Sequence, residues 1–321
     1  MKIIRWGIIG CGKVTEVKSG PGFQKANHSK LVAVMRRNKN LAADYARRHD
    51  IAKFYSNSQE LIHDPEVDAV YIATPPHKHH DYVLEVAKAG KPVYVEKPMA
   101  LNYQQCQEMV YACEQAKVPL FVAYYRRALP RFLKIKSLLD SAAIGKIQAV
   151  NIIFTRPFNH TPETPLPWRV IPEISGGGFF MDLACHTLDY LDFMLGPIES
   201  ASGYTSNIGN QYPAEDTVSA SFSFASGIQG TGLWSFNCFQ RQDQTEIIGD
   251  RGKLLFSSFG MEAIRLITDT GLQEFSIDHP EHVQQPLIQT IVDQLNGIGN
   301  CPSNGNTAVR TALVMEQILQ R

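Results

Sequence analysis

Lys97, Asp182 and His186 have the types and spacing to move a proton beside a polarised carbonyl. Lys97 follows the apolar run Val93-Tyr94-Val95 and Glu96, which predicts a position at the carboxyl end of a buried strand. In an open parallel sheet, ligands lie in the crevice beyond those ends. Glu96 and Lys97 are strand neighbours pointing to opposite faces, which argues against a simple ion pair between them. Asp182 and His186 stand four apart in a helical stretch and therefore share a face. An imidazole with an ordinary pKa near about 6.5 exchanges a proton around neutrality, and a nearby carboxylate orients it and favours its charged form. Charge developing on a ketone oxygen during hydride delivery needs a cation or proton donor already in place. The roles that follow are His186 as general acid/base, Lys97 as electrostatic partner and proton relay, and Asp182 as orienter and hydroxyl binder. Either Lys97 or His186 could carry the proton.

A hydride donor needs a cradle, and Trp6-Gly7-Ile8-Ile9-Gly10-Cys11-Gly12-Lys13-Val14-Thr15 offers one. Gly10 permits a tight turn after a strand, Gly12 lets backbone approach a pyrophosphate, and Lys13 and Val14 open a helix whose N-terminus favours that charge. Thr15 replaces the third glycine of the Gly-x-Gly-x-x-Gly pattern, which predicts looser packing of helix on strand there. At the end of the second strand, where an acidic residue would hold the ribose hydroxyls of NAD, the chain reads Met35-Arg36-Arg37-Asn38. Two guanidiniums suit a 2′-phosphate, so NADP(H) is preferred, with NAD(H) second. The same pair speaks against adenosylmethionine, whose ribose also wants a carboxylate.

Other constellations carry less. His77, His79 and His80 lack a second cluster at metal-ligand spacing, so no metal is expected. No Gly-x-Ser-x-Gly elbow supports hydrolysis. Trp6, Trp168 and Trp234 are too dispersed to form a stacking platform. Lysine plus arginine balances aspartate plus glutamate at 31 each, so no overall field draws the chain to nucleic acid or an anionic membrane. A small-molecule ligand fits better. The six cysteines never form a Cys-x-x-Cys pair and read as buried thiols. Met1 leads straight into an apolar strand without the features of an export signal, so a cytoplasmic location is expected.

The elements that must position these residues fall into two domains, as 321 residues at 44% hydrophobic content suggest. Over 1–122, strands at Ile3–Ile9, Leu31–Met35, Ala69–Thr74, Pro92–Val95 and Leu120–Ala123 alternate with amphipathic helices. That rhythm predicts a doubly wound parallel Rossmann sheet. Over 123–321 the rhythm changes. A helix at Pro130–Leu139 and a strand at Ile147–Thr155 precede a loop rich in proline (Pro157, Pro162, Pro165, Pro167, Pro172), of the kind that covers a site. A helix at Phe179–Leu195 and a series of strands through Phe275 then predict a second α/β domain with an antiparallel sheet. Helices near Glu281–Leu295 and Thr307–Leu319 close the chain.

With the glycine turn, Ala73-Thr74-Pro75-Pro76 followed by His79, and Glu96-Lys97-Pro98 in order, the chain resembles the glucose-fructose oxidoreductase, inositol dehydrogenase and MocA-like family. The likeness continues through Gly176-Gly177-Gly178, Asp182, His186 and Glu215-Asp216, nearly the whole length. It implies a Rossmann domain followed by an α/β domain whose large, mostly antiparallel sheet often forms a homodimer or homotetramer face. It also implies oxidation or reduction of sugars, cyclitols and related carbonyl compounds with NAD or NADP. By position, Lys97 lies near nicotinamide and substrate, while His186 and Asp182 face substrate. Trp168 and Arg169 match a lid segment over cofactor or substrate, Arg127 matches a position near the domain junction, taken as substrate-binding, and Thr74, His79 and Glu96 match positions beside the cofactor. The Lys97–Pro98 peptide is expected to be cis. The competing reading is a catalytically inactive dinucleotide sensor of the same fold, which would have no need of Lys97, Asp182 and His186 together.

Overall fold

A computed structural model of the chain describes residues 1–161 and 163–321, so Pro162 of the proline-rich loop lies outside the described residues. The chain divides into two compact units, Met1–Leu129 with His279–Val309, and Pro130–Asp278 with Arg310–Arg321. All of 123–321 was expected in one domain. His279–Val309 instead groups with the first unit, because the helix Gln285–Leu295 packs on the helix Gly20–Lys25. A Cβ on Gly22 would stand 3.1 Å from Ile288 Cδ1 and 3.3 Å from Gln285 Cα, so glycine is what lets these two helices approach.

In the first unit, among the described residues, six strands run parallel: β1 Ile4–Ile9, β2 Ser29–Met35, β3 Lys53–Tyr55, β4 Ala69–Ile72, β5 Val93–Val95 and β6 Leu120–Val122. Their order is β3-β2-β1-β4-β5-β6. Strand order reverses between β1 and β4, which is the point where doubly wound sheets open a crevice. β4, β5 and β6 are buried at every residue, as a sheet covered on both faces requires. Beneath it Trp6, Phe23, Tyr71 and Tyr94 form one aromatic cluster, with Tyr71 and Tyr94 stacked at 4.8 Å.

The second unit holds eight strands among the described residues: β7 Ile147–Thr155, β8 Ile198–Ser206, β9 Thr217–Phe224, β10 Gln229–Ser235, β11 Gln242–Gly249, β12 Gly252–Phe256, β13 Ile264–Thr268 and β14 Gly271–Phe275. Their order is β14-β13-β12-β11-β7-β10-β9-β8, antiparallel apart from the β7–β10 pair. Along β10, Gly230, Gly232 and Trp234 are buried while Gln229, Thr231 and Leu233 are exposed, so one face is covered and the other open. The covering element is the helix Phe179–Leu195, largely buried, with Phe180 edge-on to Trp234 at 5.2 Å. Its Asp192 receives both arms of Arg310 at 2.6 and 2.8 Å.

Candidate active site

In the first unit, backbone bonds tie the strand ends into one rim. Gly10 and Cys11 donate to Met35 O, Ala73 to Ile9 O, and Glu96 to Ile72 O. The glycine turn, Thr74 and Lys97 therefore lie at the carboxyl ends of β1, β4 and β5. Lys97 is roughly 10 Å from the turn, two strand spacings away. Gly10 has φ +92, and a Cβ there would stand 2.8 Å from Thr74 Cγ2, so both conformation and crowding require glycine. At Gly12 a Cβ would meet nothing nearer than Gly10 O at 3.8 Å, which leaves the turn open to a ligand. Thr74 Oγ1 is buried and without a hydrogen-bond partner among the described residues. An open glycine turn above an unsatisfied hydroxyl fits a dinucleotide.

Thr15, expected to loosen the turn, is fully buried. Its Oγ1 accepts from Gly12 N at 3.0 Å and donates to Gly12 O at 2.8 Å, so the hydroxyl closes the turn that a third glycine would leave bare. Exposed Lys13 and half-buried Val14 begin the short helix Lys13–Val17. Arg36 and Arg37 are exposed at the end of β2. The Arg36 charge reaches Cys11 in the glycine turn, whose thiol burial pushes up to about 11, and the Arg37 charge reaches Tyr82 in the helix His79–Lys88. Two cations thus flank the strand end where the sequence placed them.

Lys97 is half-buried and its peptide to Pro98 is cis. Three other expected site residues turn inward. Glu96 was expected beside the cofactor, but it is 7% exposed and its Oε1 accepts from Tyr71 Oη and Gln284 Nε2, both at 2.6 Å, while Oε2 takes the Lys97 amide. His79 was expected beside the cofactor and is fully buried. Its Nε2 lies 2.7 Å from Thr74 O and its Nδ1 3.0 Å from Pro98 O, so it clasps the end of β4 to the loop carrying Lys97. Burial pulls this imidazole's pKa below its ordinary value, opposed by those carbonyls and by Glu96. Arg127, expected to touch substrate, is 2% exposed and donates to Pro302 O at 3.2 Å. These three side chains hold the rim in shape. Nearby His80 instead reaches Glu108 at 2.8 Å, so the histidine run is split between separate tasks.

In the second unit the helix Phe179–Leu195 begins at Gly178, whose amide donates to Glu215 Oε1. A Cβ on Gly178 would stand 2.8 Å from Glu215 O, so the glycine run lets this loop close over the helix start. Asp216 is internal as well, its carboxylate accepting from the amides of Ile208 and Gly209. Asp182 lies in the first turn of the helix and His186 one turn further on, buried and edge-on to Phe259 at 6.2 Å. Arg169 Nε donates to Asp182 Oδ2 at 3.0 Å, and its guanidinium lies 4.4 Å from the Trp168 ring. Trp168, Arg169, Asp182 and His186 are thus all held in this unit. Two residues the sequence did not single out join them, Arg156 at the end of β7 and Tyr212 after β8. An arginine before a proline at a strand end is the only signal the sequence offers for the first.

Residues 4–124 match the model of the oxidoreductase family with NAD-binding Rossmann fold, and residues 132–255 match the GFO/IDH/MocA C-terminal domain. An oxidoreductase of Formosa agariphila is 41% identical over 315 residues, 98% of this chain and 97% of that one. The chain belongs to the Gfo/Idh/MocA oxidoreductase family. A 1,5-anhydro-D-fructose reductase of Ensifer adhaerens is 26% identical over 312 residues, 95% of this chain and 92% of that one. Among solved structures, levoglucosan dehydrogenase in complex with NADH and levoglucosan has a TM-score of 0.87 at 22% identity, covering 99% of this chain and 96% of that one, a likeness of fold. As a Gfo/Idh/MocA protein the chain is an oxidoreductase that uses a nicotinamide dinucleotide. No helix among the described residues is long and apolar enough to cross a membrane.

Proposed function

We propose that this enzyme transfers a hydride between NADP(H) and a sugar, cyclitol or related polyhydroxylated carbonyl compound. The observation that carries the proposal is the rim at the strand-order reversal, where an open glycine turn, the unsatisfied Thr74 hydroxyl and residue Lys97 stand at adjoining strand ends. The bound nicotinamide supplies or accepts the hydride. Gly10, Gly12, Lys13, Val14 and Thr74 would hold the dinucleotide, with Arg36 and Arg37 taking the 2′-phosphate. Their exposure at the end of β2 supports a preference for NADP(H), since an exposed guanidinium pair meets a phosphate without first breaking internal bonds.

In this scheme Lys97 steadies the charge on the reacting oxygen, His186 gives or takes the proton, and Asp182, held by Arg169, orients a substrate hydroxyl. The likeness to a 1,5-anhydro-D-fructose reductase supports a polyol or carbonyl substrate. The open face of the eight-stranded sheet supports pairing of subunits through that sheet. The test is absorbance at the nicotinamide band with both cofactors across a panel of sugars, cyclitols and diketones. Turnover with NADPH exceeding that with NADH is expected, and tight NADPH binding with no turnover on any compound would replace the enzyme with a sensor.

A further inference from the structure

Arg156 follows β7 directly with its backbone locked on both sides, its amide donating to Ser235 O at 2.9 Å and its carbonyl accepting from Cys238 N at 3.1 Å. The guanidinium lies 4.0 Å from the Phe179 ring and 5.8 Å from Phe236, at the start of the helix that carries Asp182. Its Nε is buried and bonds to nothing among the described residues. Beside it Tyr212, 5% exposed and packed on Phe158 and Phe179, has a buried hydroxyl that is likewise unpartnered among the described residues.

Arg156 has no carboxylate of its own among the described residues, although Asp216 and Glu215 lie within electrostatic reach of Tyr212. Arg156 feels Asp182 as an attraction and Arg169 and Arg241 as repulsions, while burial works against its charged form. Asp182 already serves Arg169 at 3.0 Å, and Asp243 lies 3.4 Å from Arg241 and accepts the amides of Ser258 and Phe259. A planar guanidinium stacked on a ring, partly out of water and lacking an acceptor, matches a carboxylate that can take two parallel hydrogen bonds. A neutral hydroxyl offers no charge to match the guanidinium.

We propose that Arg156 binds a carboxylate of the substrate, with Tyr212 donating to the same group, so that this enzyme prefers a sugar acid to the neutral sugar. The inference rests on the polyol reading above and narrows its substrate class.

The test is calorimetric titration of the NADP⁺-saturated enzyme with D-glucuronate against D-glucose and D-galacturonate against D-galactose, with nicotinamide absorbance followed in parallel. The expected result is at least one acid bound about tenfold or more tighter than its neutral partner, weakening from about 0.05 to about 0.5 M salt. Arg156→Met should erase that difference while NADP⁺ affinity is unchanged, and Arg156→Lys should restore part of it. Equal binding of acid and neutral partner in every pair, or a preference that survives Arg156→Met, overturns the proposal. Should Arg156→Met fail to fold, the Tyr212→Phe variant and the salt dependence of the wild type decide instead. Neutral sugars turned over without any preference for acids would leave the redox proposal standing and sink this one. An Arg156-dependent acid preference without absorbance change on any compound would do the reverse.

Discussion

Arg169 and Asp182 are joined at 3.0 Å in the second unit, with the carboxylate on the first turn of its helix and the guanidinium against Trp168. A residue expected to act as a lid over cofactor or substrate thus fixes the orientation of the carboxylate proposed to hold a substrate hydroxyl. Removing the guanidinium takes a fixed donor at 3.0 Å away from Asp182. Arg169→Leu is expected to raise substrate KM about tenfold with a smaller change in kcat. NADPH affinity should not move. In a double-mutant cycle, Asp182→Asn added to Arg169→Leu should raise KM no further, and full additivity would show that the two act separately.

Lys97 should matter for turnover rather than for binding. Lys97→Met is expected to cut kcat by about 10²–10⁴-fold, the range for a positioned proton-transfer group. Fluorescence titration should show NADPH affinity unchanged. A variant that kept full rate would remove Lys97 from the chemistry.

The paired guanidiniums at the end of β2 make a separate prediction about cofactor choice. Arg36→Gln with Arg37→Gln should weaken NADPH binding about 10–100-fold, the value of one or two charge-assisted bonds to phosphate. NADH binding should stay as it was, and an equal loss for both cofactors would point to damage at the glycine turn instead.

His79 should register in stability. His79→Leu strands whichever of the Thr74 and Pro98 carbonyls the neutral ring's single N–H serves and is expected to cost about 1–3 kcal/mol in urea unfolding. Burial depresses the folded-state pKa of this base, so the unfolded chain takes up the proton first as pH falls. The wild type should therefore lose stability as pH drops below about 6.5, until the folded-state pKa is reached. The variant lacks this component, so the gap between the two should narrow from about pH 7 to about pH 5. A gap that widened would mean that the buried ring is charged.

Much of this protein could be read from its residues alone. Runs of apolar residues separated by helical periods determined the parallel sheet, because a strand covered on both faces has no polar side to show. Gly10 and Gly12 marked the turn, since a backbone at φ +92 against Thr74 admits no other residue without strain. Lys97, Asp182 and His186 were singled out from spacing and resemblance. Three elements escaped, one of them the short helix Pro172–Ser175 inside the proline-rich loop. The strand Lys53–Tyr55 is too short to show a period, and the helix Gly20–Lys25 is written in letters that spell a turn. Gly22 there serves the approach of the helix Gln285–Leu295, a contact made far along the chain.

The tertiary structure alone decided what each polar side chain faces. Glu96, His79 and Arg127 carry the same charges and bonding groups whether they meet a ligand or the protein. Their hydrogen-bond partners Gln284, Pro98 and Pro302 come from other segments, which no local pattern announces. Arg156 has the opposite history. Apart from the proline that follows it nothing local distinguishes it, and it stands out because folding carries it onto Phe179 while Asp182 and Asp243 are taken by other arginines. Sequence spacing determines which residues share a strand end or a helix face, whereas satisfaction of a buried hydrogen bond depends on partners that only the fold brings near.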